Sequence, residues 1–414
     1  MINKKALVDV TTYIKRGITP KYVESNGIIV INQKCIREHR INYELARLTS
    51  REKKITEEKL LKSGDILINS TGTGTLGRTA QIFNVDKDIT VDTHVTIVRP
   101  SEDIDARYLG YVIRVNESLI TSLGKGATNQ IELSVSDLEK INFNVPSKEI
   151  QKKISNILSS YDYLIENNLK RIKLLEESAE IIYREWFINL RFPGYEKCNI
   201  VDGIPEGWNT KLVKEFGEVT TGKTPSTKRN EYYGGDIPFI KTPDMSDVHI
   251  IKTNQSLTQE GAKSQESKYV PKNTILVSCI GTVGVVSLTS ELSQFNQQIN
   301  GLIPKYENYL YYMYFKFKSL KEYLEALGSS GATMLNVNKG KFENIEVLEP
   351  PLNVNKGKFE NIEVLEPPKE VLDKFTNICN PIFDNILNIQ HQNEKLKEAR
   401  DILIPRLISG EIEV

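Results

Sequence analysis

The sequence predicts a mixed α+β protein. It comprises two pseudo-symmetric α/β units, each followed by a long helix, and the two helices pair as an antiparallel coiled coil. Three observations predict it. The chain repeats itself weakly from end to end, and repeats override local readings. Each repeat closes on an unbroken heptad pattern. The remainder alternates short strand-like runs with turns and short helical patterns. The expected boundaries are 1–147 and 193–368 for the globular units, with helices over 148–192 and 369–414.

The large repeat rests on paired segments. GATNQIELSVSDLEKINFNVPSKEI (126–150) matches GATMLNVNKGKFENIEVLEPP (331–351), with KEV resuming at Lys369. GDILINSTGTGTLG (64–77) resembles NTILVSCIGTVG (273–284), and RGITPKY (16–22) resembles TGKTPST (221–227). A second, smaller repeat interrupts this symmetry. Residues 335–351 and 352–368 are the same 17 letters, LNVNKGKFENIEVLEPP. Fold constraints do not hold solvent-facing positions identical, so a recent tandem duplication or an artefact of sequence assembly is expected rather than a genuine two-unit array. Without one copy the two halves align within one residue; with both, the second is 17 residues too long.

The helices follow from spacing. Ile154, Leu158, Tyr161, Ile165, Asn168, Ile172, Leu175, Ala179, Ile182 and Trp186 keep a 4-3-4-3 rhythm. Adding 221 to each gives Phe375, Cys379, Ile382, Ile386, Ile389, Asn393, Leu396, Arg400, Leu403 and Leu407. Charged residues such as Lys170, Arg171 and Glu177 occupy the outer face. Such a stripe can also pack on its own domain. However, the 33 residues from Ile154 to Trp186 span ~50 Å at 1.5 Å per residue. That is longer than a small domain is wide, so the helices are expected to project and pair. The two asparagines either fix register or sit at solvated ends of the seam. Pro381 is expected to kink the second helix and Pro405 to disturb its last turns.

In the globular units, GIIVINQKCI, GDILINS, THVTIV and INFNV read as strands, as do DIPFIKT, NTILVSCI and NIEVL. Short helices are expected near Asp105–Val115 and Tyr309–Leu327. Gly72, Gly74 and Gly77 form a GxGxxG. The following RTAQIFNV reads as a strand, not a helix, which argues against dinucleotide binding. The loop is either a plain Gly-rich hairpin or a cradle of amides and hydroxyls for an anion such as a DNA phosphate.

Formal net charge is zero, with 54 basic and 54 acidic residues. Yet residues 1–62 carry 14 Lys/Arg against 7 Asp/Glu. Basic residues among Asn, Gln, Ser and Thr are the side chains that hold phosphates and read base edges; a charge run can equally be a solvated face. The candidate DNA-binding residues are Lys15, Arg16, Lys34, Arg37, Arg40, Thr73, Arg78, Lys125, Lys223, Lys228, Arg229 and Lys241.

Other functional classes find no support. The P-loop, GxSxG and HExxH patterns are absent. So is the [ND]PP[YF] of amino-methylating methyltransferases, because Glu349 and Glu366 precede the Pro-Pro pairs. Cys35, Cys198, Cys279 and Cys379 form no CxxC, and the four histidines lack zinc spacing. No catalytic or metal residue is expected. The thiols are expected to be reduced, with no membrane span or signal core, in a cytoplasmic protein.

The order of several strings carries a resemblance. The first helix exits through WFINLRFPGYE (186–196), and the second unit opens with IPEGW (204–208) followed by TGKTPS. The second helix ends LIPRLISGEI (403–412). Together they make the chain resemble, over its whole length, the specificity (S) subunit of type I restriction-modification systems. The first unit departs from that pattern in lacking an IPEGW equivalent. The resemblance implies a non-catalytic protein whose globular units are target recognition domains, each reading half of a bipartite double-stranded DNA target. It implies helices that space those domains and bind two methyltransferase (M) subunits, which two restriction (R) subunits can join. S-adenosylmethionine, ATP and Mg2+ are then expected on the partners, and no cofactor on this chain. A coiled-coil scaffold without a DNA role is the alternative.

Overall fold

The computed structural model describes residues 3–52, 54–126, 131–201, 203–321 and 356–414. Two compact units divide them: 1–166 with 395–414, and 167–394. The first 17-residue copy lies outside the described residues, as do the start of the second and the end of the helical pattern expected to run to Leu327.

In the first unit, a continuous apolar strand, Ile66–Asn69, is buried at every residue, as expected of a strand covered on both faces. It lies inside an antiparallel sheet of order 11–16, 95–100, 66–69, 79–81. A second sheet runs 89–91, 28–31, 47–49, 22–23, and its first two strands are parallel. A separate antiparallel pair joins Asn3–Ala6 to Asn142–Val145.

The second unit repeats this wiring. Its first sheet runs 217–221, 299–304, 275–278, 286–289 and adds His249–Ile250 at the edge. Its second runs 256–257, 233–240, 294–295, again with one parallel pair. Its separate pair joins Asn209–Leu212 to Glu363–Glu366. This last strand belongs to the second 17-residue copy. Phe359, Ile362 and Val364 of that copy are buried in the core of the unit, at the places Leu138, Ile141 and Phe143 take in the first.

Two long helices supply the rest, Lys148–Tyr183 and Lys369–Ser409. Their lengths of 36 and 41 residues correspond to ~54 and ~61 Å. Each gives one half to each unit. Within the second unit Asn168 donates to Asn393 at 2.9 Å, and Phe187 meets Phe375 with ring centroids 5.0 Å apart. Within the first, Arg400 meets Asp162 at 2.6 Å. Residue numbers rise on one helix as they fall on the other, so the pairing is antiparallel in both units.

The seam holds at Ile154, Leu158, Ile165, Ile172 and Ala179, and at Phe375, Cys379, Ile386, Ile389 and Leu407, all buried. Tyr161, Leu175, Ile382, Leu396 and Leu403 are half-buried flanks. Two expectations need correction. First, past Ala179 the seam rotates by one residue: Tyr183 and Phe187 are buried, whereas Ile182 and Trp186 are half-exposed. A π turn over Arg184–Ile188 follows directly after the shift. Second, the helices do not simply project, because their inner faces are also part of each unit's core. The second helix runs on through both Pro381 and Pro405. Each proline removes one donor, while Cys379 and Phe383 anchor the flanks of the first and Ile404 and Leu407 those of the second.

The family-like strings are structural. Phe192 and Trp208 stack 5.3 Å apart and close the exit of the first helix onto the second unit. Ile404 and Leu407 enter the core of the first unit. The two domain–helix joints differ chemically. In the first unit buried Arg400 pairs with Asp162, which also accepts from Tyr111 Oη at 2.5 Å. At the matching seam positions, 221 residues on and back, the second unit places Phe383 and Ala179 in an aromatic core.

Candidate nucleic-acid interface

Each unit builds the same polar corner where three segments meet. The first segment is the end of the opening strand. Gly17 in one unit and Gly222 in the other pass so close to the neighbouring chain that a Cβ would lie 2.0 Å from Val91 O or 2.2 Å from Asn296 O. Only glycine fits there. The amides of Gly17 and Gly222 donate to Val95 O at 3.1 Å and Ile299 O at 3.2 Å.

The second segment is a three-residue turn, Asp92–His94 or Asn296–Gln298. The Asp92 side chain accepts from the His94 amide at 2.9 Å. The Asn296 side chain accepts from the Gln298 amide at 3.1 Å. Both are Asx turns, in which a short polar side chain replaces a backbone acceptor. Burial pushes the Asp92 carboxyl above its ordinary value, and the His94 amide and ring pull it back. Neutral Asn296 does the same geometric work without a buried charge.

The third segment is the Gly-rich loop, whose Ser70 amide donates to His94 O at 2.8 Å. In the second unit the Cys279 amide donates to Gln298 O, also at 2.8 Å. The strand after the first loop pairs back, Ile68 opposite Thr79. The GxGxxG is therefore a hairpin, with positive φ at Gly72, Gly74 and Gly77. No helix follows it to hold a pyrophosphate.

The candidate residues fall into three groups. Lys15, Lys34, Lys223 and Lys228 are exposed and have no ion-pair partner among the described residues. Thr73 sits exposed at the loop tip, and Lys34 follows Gln33, whose carbonyl accepts from Asn69 at 3.0 Å. A second group is engaged within the fold. Arg16 pairs with Glu132 and donates to Leu133 O at 2.7 Å. Lys125 pairs with Asp137 at 2.7 Å. Arg229 donates to Tyr232 Oη at 2.7 Å. Lys241 lies 5.8 Å from the Phe239 ring.

The third group lies apart from this corner. Arg37 and Arg40 face each other across a tight hairpin whose turn residues, Glu38 and His39, both have positive φ. Arg40 lines a cleft of about 670 Å³ with Arg107, Arg114, Tyr163 and Arg400. Burial and the Arg400 guanidinium pull its pKa down. In the same hairpin burial pulls the His39 imidazole down to about 4, helped by Arg114 and Arg400. Half-buried Arg78, by contrast, stays with the corner: it closes the Gly-rich loop, its amide donating to Thr75 O at 3.2 Å and its carbonyl accepting from the Asn69 amide at 2.9 Å.

The Asx turns were not among the residues singled out from the sequence. The signal was present in VDTHV (91–95) and FNQQI (295–299), which align once the strands on either side are matched. Among the described residues no group of three or more His, Cys, Asp or Glu could hold a metal ion. No described helix is long and apolar enough to cross a membrane.

Comparisons with known proteins agree with this doubled architecture. The type I restriction modification DNA specificity domain matches twice, over residues 3–177 and 205–388. The HindI specificity subunit of Haemophilus influenzae is 30% identical over 427 residues, covering 86% of this chain and 88% of that one. The MjaIX specificity subunit of Methanocaldococcus jannaschii is 26% identical, covering 90% and 85%. The crystal structure of the type I S subunit from M. genitalium aligns with a TM-score of 0.54 at 16% identity, over 99% of this chain and 96% of that one. Two copies of the domain in one chain, on a fold shared with a solved S subunit, make this protein a member of the type I restriction-modification specificity-subunit family.

Proposed function

We propose that the chain is the DNA-reading component of a type I restriction-modification complex and recognises a bipartite double-stranded target. Residues 1–147 and 193–368 are the two target recognition domains, one for each half-site. The helical segments 148–192 and 369–414 set the interval between half-sites and bind two methyltransferase subunits, to which two restriction subunits can add. The observation that carries the reading is the polar corner built twice: glycine strand end, Asx turn and Gly-rich loop, with exposed lysines beside it. A fold that repeats a polar, partly basic corner suits a target with two parts.

A specificity subunit performs no catalytic step. S-adenosylmethionine, ATP and Mg2+ therefore belong to the partners. Lys15, Lys34, Thr73, Lys223 and Lys228 are the phosphate contacts, because their side chains are exposed and have no ion-pair partner among the described residues; phosphate contacts position a protein without reading sequence. Half-sites one DNA turn apart are separated by ~34–36 Å, and helices of ~54 and ~61 Å are long enough to span that interval. Zero net charge is compatible with this role when partners share the grip on DNA.

The test is co-purification. Co-expressed with its cognate methyltransferase subunit, the tagged chain should capture two copies and bind DNA with affinity that falls steeply as salt rises. Failure to capture that subunit, or salt-independent binding, would contradict the reading.

A further inference from the structure

We infer that the two Asx turns are the base-reading elements, with Thr93 and His94 reading one half-site and Gln297 and Gln298 the other. The inference rests on the function proposed above and adds the residues that set specificity.

The argument starts from what repeats. In both units the turn joins two strands, is closed by an Asx side chain, and receives a loop amide on the carbonyl of its third residue at 2.8 Å. The first residue of the turn is buried, at 3% exposure for Asp92 and 7% for Asn296. It is therefore scaffold. The next two side chains are exposed or half-exposed, and they stand beside the Gly-rich loop and the glycine strand end. A corner that only gripped phosphates would need the same side-chain chemistry in both units. Here the frame repeats and the outward side chains differ: Thr and His in one, Gln and Gln in the other. A pair of units reading different half-sites requires that division.

The outward side chains are also pre-positioned. The His94 ring is held through Nδ1 by Thr71 Oγ1 at 2.6 Å. That leaves Nε2 without a described partner. Thr224 Oγ1 donates to Gln297 Oε1 at 2.5 Å, and Asn296 Nδ2 donates to Gln298 Oε1 at 2.9 Å. Among the described residues both glutamines thus keep their amide N–H groups unengaged. An exposed glutamine loses rotamer entropy when it binds; one tethered by a neighbour has already lost part of it. Gln amides and imidazole nitrogens match the donor and acceptor edges that bases present in the major groove. The neighbouring Lys223, exposed and unpaired, supplies a cation for the backbone beside such a contact.

The test uses the full chain with its cognate methyltransferase subunit, in a host lacking other DNA methylation, and reads methylated sites genome-wide. The wild-type chain should give a split motif. Thr93→Ala/His94→Ala should relax or change one or two positions in one half-site only. Gln297→Ala/Gln298→Ala should do so in the other half-site only. Neither should change the spacer. With purified complex, discrimination against a single mismatch at the affected position should fall about 5- to 150-fold, while affinity for non-specific DNA stays the same. A wild-type split motif with both double variants leaving both half-sites unaltered would overturn the inference. So would equal loss of affinity for cognate and non-specific DNA. Absence of any split motif from wild-type chain beside an active methyltransferase would instead defeat the proposed function itself.

Discussion

Replacing Phe359 by alanine tests which stretch of the tandem copy holds the second unit together. Phe359 is fully buried, and its ring stacks on buried Phe317 with centroids 5.0 Å apart. It sits on the short helix Lys356–Glu360, just before the strand Glu363–Glu366 that pairs with Asn209–Leu212. Phe→Ala at such a site costs ~3–5 kcal/mol through lost burial and a residual cavity. For a unit of this size, ~2–4 °C of Tm per kcal/mol translates that into a fall of ~6–20 °C. The substitution should be made in the 414-residue chain and in a chain with residues 335–351 deleted. Deleting either copy yields the same 397-residue sequence, because the two are identical. Thermal unfolding should show the deletion alone to be neutral, and Phe359→Ala to cost the same in both backgrounds. Phe342 occupies the matching place in the other copy. A large loss in the shortened chain with little in the full one would show that the other copy can fill the slot. That result would refute the assignment of the core position to Phe359.

Four further outcomes follow from particular residues. Asn168→Leu should leave the Asn393 amide buried and unpaired, costing ~1–3 kcal/mol in urea melts, whereas Asn168→Leu with Asn393→Leu should be near neutral or stabilising; equal costs would refute the pairing. Burial pushes the His249 imidazole down from 6.5 to about 4, so the folded chain keeps it neutral while the unfolded chain takes up a proton below pH 6.5. The stability this represents is whole above pH 6.5 and is lost as pH falls toward 4, ~3 kcal/mol in all; His249→Gln should flatten that acid limb of the melting curve. Lys34→Ala and Lys223→Ala should each weaken binding to all sequences alike and lower the salt slope by ~1. Arg16→Ala breaks the pair with Glu132 and should chiefly lower the melting temperature.

Much of the fold was legible because it rests on spacing. The heptad positions Ile154, Leu158, Ile165 and Ile172 are buried where a period of 3.5 puts them, and the same register recurs 221 residues later. The hairpin at Gly72–Gly77 followed from reading RTAQIFNV as a strand. The rotation of the seam at Tyr183 was not legible, because Ile182 and Tyr183 are adjacent apolar residues and spacing alone does not choose between them. The second helix runs through both prolines because a helix anchored on both flanks by packed side chains tolerates one missing donor. At the candidate interface, residue type alone named Lys34 and Lys223 together with Arg16 and Arg40 as candidate DNA contacts. It could not reveal that Arg16 is committed to Glu132, more than a hundred residues away, or that Arg40 turns toward Arg400. The Asx turns were missed because their meaning lies in which loop donates to them, and that is a tertiary fact.

The central claim is that one chain reads two half-sites held at a fixed interval. Mapping methylated bases genome-wide, after co-expression with the cognate methyltransferase subunit, tests it most directly. The account predicts a single motif in two parts separated by a constant number of unread base pairs. A continuous motif, or none beside a methyltransferase subunit proven active with another specificity subunit, would contradict it.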